Sequence, residues 1–381
     1  MKVCDVVLNS IWYDPRVRKQ IIEYKNQGVE VCCVGLRCNR FDEEQIKKIP
    51  VPVNVVSIDA KYDGKQKGII RKLIRERKKF QVVKEAIIAF APDVIHANDL
   101  NALIPAYAAS RELKCRLVYD SHEINTDNYT GKKNLLLKAY YKSLESRLVH
   151  KVDLMISVSH AAADYFAQEY RIQKPTVITN CALASENVSQ PVEKNAGFEV
   201  LNHGVFYAGR GYDLIVEAAP LLKECPEIKL ALRGFGKIEN QLRKRAEELN
   251  ATNVIFYPKV KVEELIPLAA GSMVGVAITE PVCLNFKLSI SNKLFEYAAA
   301  GLPVVMSDIP EHRYLNEKYG IGVIMKENTP ACFAQAVKKL YGDREFYNAC
   351  VAGARRMSDE VNWENEFSKL IEIERSLCGE N

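Results

Sequence analysis

Short runs rich in Val, Ile and Leu recur along the chain, separated by longer stretches in which apolar residues return at helical spacing. The short runs mark strands buried on both faces, and the longer stretches mark helices that cover them. Expected strands are Val3–Leu8, Val29–Val34, Val53–Ile58, Asp93–Ala97, Arg116–Asp120 and Leu154–Val158, with helices near 15–27, 68–90, 100–112, 130–150 and 160–170. The alternation then restarts. Strands fall at Glu199–Leu201, Ile228–Leu232, Val254–Tyr257, Val274–Ala277, Val304–Met306 and Val323–Met325, with helices near 212–223, 237–249, 262–270, 292–300 and 330–341. The polar, non-periodic stretch 184–196 reads as a linker. The pattern predicts an α/β chain of two doubly wound parallel sheets, in domains 1–183 and 197–360, and an amphipathic helix within 361–381 that packs back on the first domain. Two such domains facing one another place the active site in a cleft at the carboxyl ends of their strands.

One segment carries more chemistry than the rest. Ser291-Asn292-Lys293-Leu294-Phe295-Glu296-Tyr297-Ala298-Ala299-Ala300-Gly301-Leu302-Pro303 opens on an N-cap residue, runs through helix formers, and stops at a glycine and a proline. Free N–H groups and the positive dipole end at Ser291, Asn292 and Lys293 suit a diphosphate, and Lys293 adds a cation. Glu296 shares a helix face with Asn292 and Lys293 and can accept both hydroxyls of a ribose. The same residues also describe a core helix whose Glu merely complements the dipole, and the segment alone leaves both readings open.

Composition narrows the classes. A chain of 381 residues with 48% hydrophobic content supports two cores, and a net charge of +5 with mixed signs is too mild for a dedicated nucleic-acid binder. Eleven cysteines, mostly inside apolar runs and without paired CxxC spacing, fit buried thiols in a reducing cytosol and argue against a zinc site. The start MKVCDVVLNS reads as a first strand and not a signal peptide, and no apolar run reaches a membrane span. GxSxG, HExxH and GxxxxGK[ST] motifs are absent, and Gly234-Phe235-Gly236 lacks the third glycine of a dinucleotide loop.

Several motifs then fall in one order: Asp14-Pro15-Arg16-Val17, His96-Ala97-Asn98-Asp99-Leu100, Val118-Tyr119-Asp120-Ser121-His122-Glu123, Ile156-Ser157-Val158-Ser159, Thr179-Asn180, Arg210-Gly211-Tyr212-Asp213-Leu214, and Ser291 to Tyr297. The ordered set resembles glycosyltransferase family 4, of the kind seen in bacterial surface-polysaccharide pathways. The resemblance implies the GT-B fold of two Rossmann-like domains, a nucleotide-sugar donor on the second, an acceptor on the first, and transfer with retention. It implies no bound metal and no cofactor beyond the donor as co-substrate. Residue by residue, it implies catalytic roles for His122 and Glu296, with Glu296 on the ribose and His122 close to the donor sugar. Donor binding falls to Arg210, Gly211, Gly234, Lys259, Val260, Ser291, Asn292 and Lys293, with the base near Lys259 and Val260. Asp14, Arg16, Asn98 and Asp99 lie on the acceptor side. Arg210 also reads as an exposed loop cation, and His122 as a satisfied structural histidine.

The chain departs from the family in three places. Leu288 stands where many relatives place the first of two glutamates, Val205 where they place an arginine, and Asn9-Ser10-Ile11-Trp12 where they place paired glycines. Lys293, Lys287 or Arg16 are the cations available to compensate.

The stretch Lys65–Phe80 is strongly basic with apolar anchors. Arg71, Lys72, Arg75, Lys78 and Lys79 would form a surface for an anionic membrane, extended by Lys132–Tyr141, or else a solvated face packed by its apolar side. The expected protein is cytoplasmic, at the inner face of the membrane. Its expected function is to move a sugar from a nucleotide sugar, UDP-linked rather than GDP-linked, to a saccharide acceptor that is lipid-linked, with no nucleic-acid partner. A nucleotide-sugar epimerase and a non-catalytic scaffold subunit remain the alternatives.

Overall fold

The computed structural model describes residues 1–11, 14–37, 54–59, 69–128, 135–190 and 192–380. The chain forms two compact units, Met1–Ile178 with Glu366–Asn381, and Thr179–Asn365.

The first unit is built on strands β1 (Lys2–Val7), β2 (Glu30–Arg37), β3 (Asn54–Asp59), β4 (Val94–Asn98), β5 (Arg116–Ser121), β6 (Leu154–Ser157) and β7 (Thr176–Val177). They form one sheet in the order β3-β2-β1-β4-β5-β6-β7, every pairing parallel. The order reverses between β1 and β4, so the ends of those strands flank the switch point where doubly wound sheets hold ligands. Helices α1 (Pro15–Asn26), α2 (Ile69–Phe90), α3 (Asp99–Leu113), α4 (Leu135–Leu148) and α5 (His160–Tyr170) connect them. Buried Val3, Val6, Val34, Ile95, Ala97 and Val118 form the sheet's core. The parts of the expected elements at Val53, Gly68 and 130–134 lie outside the described residues.

The second unit holds β8 (Phe198–Val205), β9 (Ile228–Phe235), β10 (Val254–Tyr257), β11 (Val274–Ala277), β12 (Val304–Ser307) and β13 (Gly322–Met325), again all parallel, in the order β10-β9-β8-β11-β12-β13. Its switch point lies between β8 and β11. The helices are α6 (Tyr212–Ala218), α7 (Glu239–Glu248), α8 (Leu265–Ala269), α9 (Leu284–Leu288), α10 (Asn292–Ala299), α11 (Pro310–Tyr319), α12 (Pro330–Gly342) and α13 (Arg344–Glu360), followed by α14 (Trp363–Leu377), which begins in this unit and ends in the first.

Three features differ from the sequence reading. The first unit ends at Ile178, before the expected boundary at 183, and the expected linker packs with the second unit. There Val188 N–H caps the Ala299 carbonyl at 2.8 Å, and Lys194 Nζ donates to the Ala270 and Ser272 carbonyls, both at 2.8 Å. Backbone and side-chain donors of this stretch thus satisfy carbonyls at and just beyond helix ends, which have no partner within their own helices. Next, the stretch between β11 and α10, where no element was expected, contains the short helix α9. Finally, α11 and α13 were not expected. The buried face of α13 is made of Tyr347, Cys350, Gly353, Ala354, Met357 and Ser358.

The end of α14 is fixed within the first unit by polar as well as apolar contacts. Phe367 packs edge-on against Tyr24 with ring centroids 4.9 Å apart. The buried Glu374 carboxylate accepts from Tyr24 OH at 2.6 Å and lies 2.9 Å from His96 Nδ1.

Candidate functional site

Strand β8 runs from Phe198 through buried Glu199, Val200 and Leu201 and ends in the polar residues Asn202 and His203 and in Gly204. Those residues end at the switch point, and α10 packs across the same sheet face: its Tyr297 ring fills the space over Gly275 on β11. The Tyr297 hydroxyl accepts the His203 N–H at 3.1 Å, and its ring stacks on the imidazole with centroids 4.6 Å apart. His203 Nε2 and Glu296 Oε2 are 2.6 Å apart, with the histidine 1% and the glutamate 26% exposed. The carboxylate is therefore held from the strand side while remaining open to solvent.

One helical turn earlier, Lys293 Nζ donates to Asn202 Oδ1 at 2.6 Å and Tyr212 OH at 3.2 Å. Burial, with the Arg210 guanidinium nearby, outweighs the pull of Glu296 and brings this ammonium down to about 7. Arg210 lies over the Phe286 ring at 4.4 Å and donates from Nε to Tyr207 OH at 3.0 Å. Among the described residues neither cation has a carboxylate at ion-pair distance. Ser291 is the N-cap residue of α10, yet its hydroxyl makes no capping hydrogen bond. The first N–H groups of α10, at Asn292 and Lys293, are likewise without intrahelical partners. Two cations, a helix N-terminus and a solvent-facing carboxylate thus converge on one end of the sheet.

The remaining donor-side residues serve the frame. Gly211, with φ +74°, precedes α6, and a Cβ there would meet Ile278 at 2.5 Å. Gly234, with φ +148°, abuts the Gly204 carbonyl, which a Cβ would reach at 1.9 Å. Lys259 follows β10 with its Nζ over the Phe235 ring at 5.1 Å, and Val260 is half-buried beside it. Lys287 is exposed, and Leu288 ends α9.

Missing from the sequence reading were Asn202, His203, Tyr212 and Phe286. The signal was present for the first two, since polar residues closing an otherwise buried strand are rarely idle. Tyr212 lies inside one of the ordered motifs without a role assigned to it, and for Phe286 no signal set it apart from core aromatics.

In the first unit the expected residues cluster, with Arg16 and Asn98 buried and Asp14, Asp99 and His122 part-exposed. Arg16 is 3% exposed; it donates to Asp120 Oδ2 from Nε at 3.1 Å and Nη2 at 2.6 Å, and to the Ile178 carbonyl at 3.0 Å. Arg16 thus directs Nε, Nη1 and Nη2 each to an internal acceptor. Asn98 is fully buried and donates to Asp5 Oδ1 at 2.6 Å, so it too is a core group. Asp14 caps α1, accepting the Val17 N–H at 3.2 Å. Asp99 begins α3 with φ +67°, a conformation costly for a non-glycine residue, and its carboxylate accepts the His122 N–H at 3.1 Å and Asn125 Nδ2 at 3.2 Å.

His122, like Asp14 and Asp99, keeps a part-open side. It is 15% exposed, with Nε2 3.4 Å from Asp120 and Nδ1 4.0 Å from Asp99. Burial opposes its charge, but Asp120 and Asp99 outweigh burial and raise its pKa. Behind it, His96 lies 3.4 Å from Asp120; burial disfavours its protonation, yet hydrogen bonds to Asp120 and Glu374 bring it up to about 10. Burial also opposes ionisation of Asp120, but Arg16 and His122 hold that carboxyl well below its usual range. Among the described residues no group of three or more His, Cys, Asp or Glu side chains is placed to hold a metal ion.

On the basic helix α2, Lys78 is exposed and Lys79 pairs with Glu76 at 2.5 Å; the side chains of Arg71, Lys72 and Arg75, and residues 65–68, lie outside the described ones. On α4, Leu135, Leu136 and Tyr140 are 60%, 88% and 60% exposed. No described helix is long and apolar enough to cross a membrane.

Two parallel, doubly wound units with a polar cluster at each switch point define the GT-B class of fold, and solved structures share it over the whole chain. The HepE protein of Anabaena, in complex with UDP and glucose, superposes with a TM-score of 0.73 at 17% identity, covering 99% of this chain and 100% of that one. Sucrose-phosphate synthase of Thermosynechococcus elongatus gives 0.78 at 12%, covering 100% and 99%. The lipopolysaccharide outer core galactosyltransferase WaaB gives 0.70 at 13%, covering 99% of both chains. No curated protein matches the sequence significantly. Two family models do match: Glycosyltransferase Family 4 over residues 17–182, and Glycosyl transferases group 1 over 197–343. The two models and the shared fold together make the chain a glycosyltransferase similar to family 4.

Proposed function

We propose that the protein transfers a sugar, with retention at the anomeric carbon and without a metal, from a UDP-sugar to a saccharide acceptor carried on a lipid. The observation that carries this reading is the convergence of Arg210, Lys293, the start of α10 and the half-open Glu296 at one strand end. Arg210 and the first N–H groups of α10 would hold the diphosphate, and Lys293 would add a charge as that group arrives. Glu296 would accept the ribose hydroxyls, and the base would lie along Gly234, Lys259 and Val260. Relatives of the same fold favour uridine, since HepE is solved with UDP.

His122 would act beside the transferred sugar, its positive charge stabilising charge that builds as the glycosidic bond breaks. The departing diphosphate would take the proton of the acceptor hydroxyl on the same face, which preserves configuration. Positioning and electrostatics would supply most of the rate. A lipid-linked acceptor agrees with the exposed Leu135, Leu136 and Tyr140 on α4 and with exposed Lys78 on α2, which would rest on an anionic leaflet.

The test is a donor panel of UDP- and GDP-sugars, incubated with and without lipid-linked saccharide acceptors, with product configuration read by NMR. Transfer with an α-to-α or β-to-β outcome supports the reading. Epimerised donor without transfer, or no donor binding at all, overturns it in favour of an epimerase or a scaffold.

A further inference from the structure

The carboxylate of Glu296 does not stand by itself. Its Oε2 is 2.6 Å from His203 Nε2, on a different element, and His203 is fixed on every side the structure describes. Its N–H donates to Tyr297 OH, and its carbonyl accepts from Tyr212 OH, both at 3.1 Å. The ring lies on the Tyr297 ring, tilted by 30°. Tyr212 in turn accepts from Lys293. One backbone position thus joins the carboxylate, the helix that carries it and the cation beside it. A carboxylate can only accept, so Nε2 carries a proton toward Glu296. Nδ1 is buried with no partner, so the imidazole is aimed wholly at this one task.

We infer that His203 is the positioning residue that sets Glu296 to read the two ribose hydroxyls of the donor, and so to select ribonucleotides over deoxyribonucleotides. The inference rests on the reading of Glu296 as the ribose ligand. A part-exposed glutamate on a helix has several rotamers open to it, and a site selects a hydroxyl only when the acceptor is held before the ligand arrives. With one oxygen tied to His203, the rest of the carboxylate's acceptor capacity has a fixed direction. A deoxy donor would then leave a held, partly desolvated acceptor unpaired, which is the more costly outcome.

The experiment compares binding of UDP or GDP, whichever the wild type binds, with binding of its 2′-deoxy counterpart, by calorimetry. His203→Phe keeps a ring on Tyr297 but removes the N–H; His203→Gln restores a donor; Glu296→Ala removes the carboxylate. Thermal melts show that each variant is folded. The wild type should prefer the ribonucleotide by roughly tenfold or more, the worth of a hydrogen bond to a charged group. Glu296→Ala should abolish that preference, His203→Phe should lower it to within about threefold, and His203→Gln should recover part of it. If His203→Phe weakens both nucleotides equally and keeps their ratio, the histidine only supports the fold and the inference fails. If Glu296→Ala leaves the ratio unchanged, the ribose reading itself fails, and the inference with it.

Discussion

The polar clusters at the two switch points contain similar residues and treat charge in opposite ways. In the first unit Arg16, His96 and His122 surround Asp120, and Glu374 closes the far side; the cluster is buried and neutralised from within. In the second unit Arg210 and Lys293 are held by hydroxyls, an amide and aromatic faces, and the carboxylate nearest them is tied to His203. Charge compensated inside a protein supports structure, whereas charge left for a partner marks a place to bind one. Glu374 shows the first pattern most clearly, since its buried pairing fixes the end of the chain to its own unit.

The largest expected effect comes from breaking the compensated side. Asp120→Asn leaves the buried Arg16 without its counter-charge, and chemical denaturation should show a loss of about 3–5 kcal/mol or a chain that no longer folds. The second unit should respond in the reverse sense. Lys293→Met removes a cation that burial disfavours, so the melting temperature should hold or rise, while affinity for the donor nucleotide falls by about tenfold or more. Arg210→Ala should show the same affinity loss in a calorimetric titration. A Lys293→Met variant that melted early and still bound donor normally would erase the distinction between the clusters.

The pH dependence carries the same contrast in smaller steps. Lys293 stands at about 7 against 10.5 when unperturbed, so across that window the unfolded chain holds a proton the folded site has lost, and this group makes stability rise with pH. His96 stands at about 10 against 6.5: its contribution is complete below pH 6.5 and is lost as pH rises through about 10, so it makes stability fall. Urea denaturation from pH 6 to 10 should therefore lose its rising component in Lys293→Met and its falling component in His96→Gln. Donor binding at pH 8 should take up a proton at Lys293, seen as a dependence of the binding heat on buffer, and absent in Lys293→Met. The smallest effect is at a helix cap. Thr329→Ala, whose side chain accepts the Cys332 N–H, should cost about 1 kcal/mol. Ser291→Ala should cost well under about half of that, because its hydroxyl caps nothing, and its loss should appear in donor binding instead.

Most strands were legible because parallel strands buried on both faces are written as unbroken apolar runs, and β11 falls where the pattern put it, as does the half-buried edge strand β10. The helix α10 was legible for a different reason: its start, its alanine run and its Gly301 stop are local signals. Helix α13 was not, since Gly353 and Ala354 pack by close approach and carry no hydrophobic signature. Arg16 shows the limit for sites. Its place after a strand suggested a ligand contact, and only the distance to Asp120, far along the chain, reveals where its donors go.

The sequence by itself determined the alternation of strands and helices, the restart after residue 196, and the motifs that join this chain to its family, because each depends on spacing within a few turns of chain. Tertiary structure alone decided which charges are free. Arg16 and Arg210 look alike along the sequence, but the parallel sheets bring Asp120 to one and aromatic rings to the other. Compensation acts through space at a few ångströms, between residues on different elements, and local spacing holds no record of it.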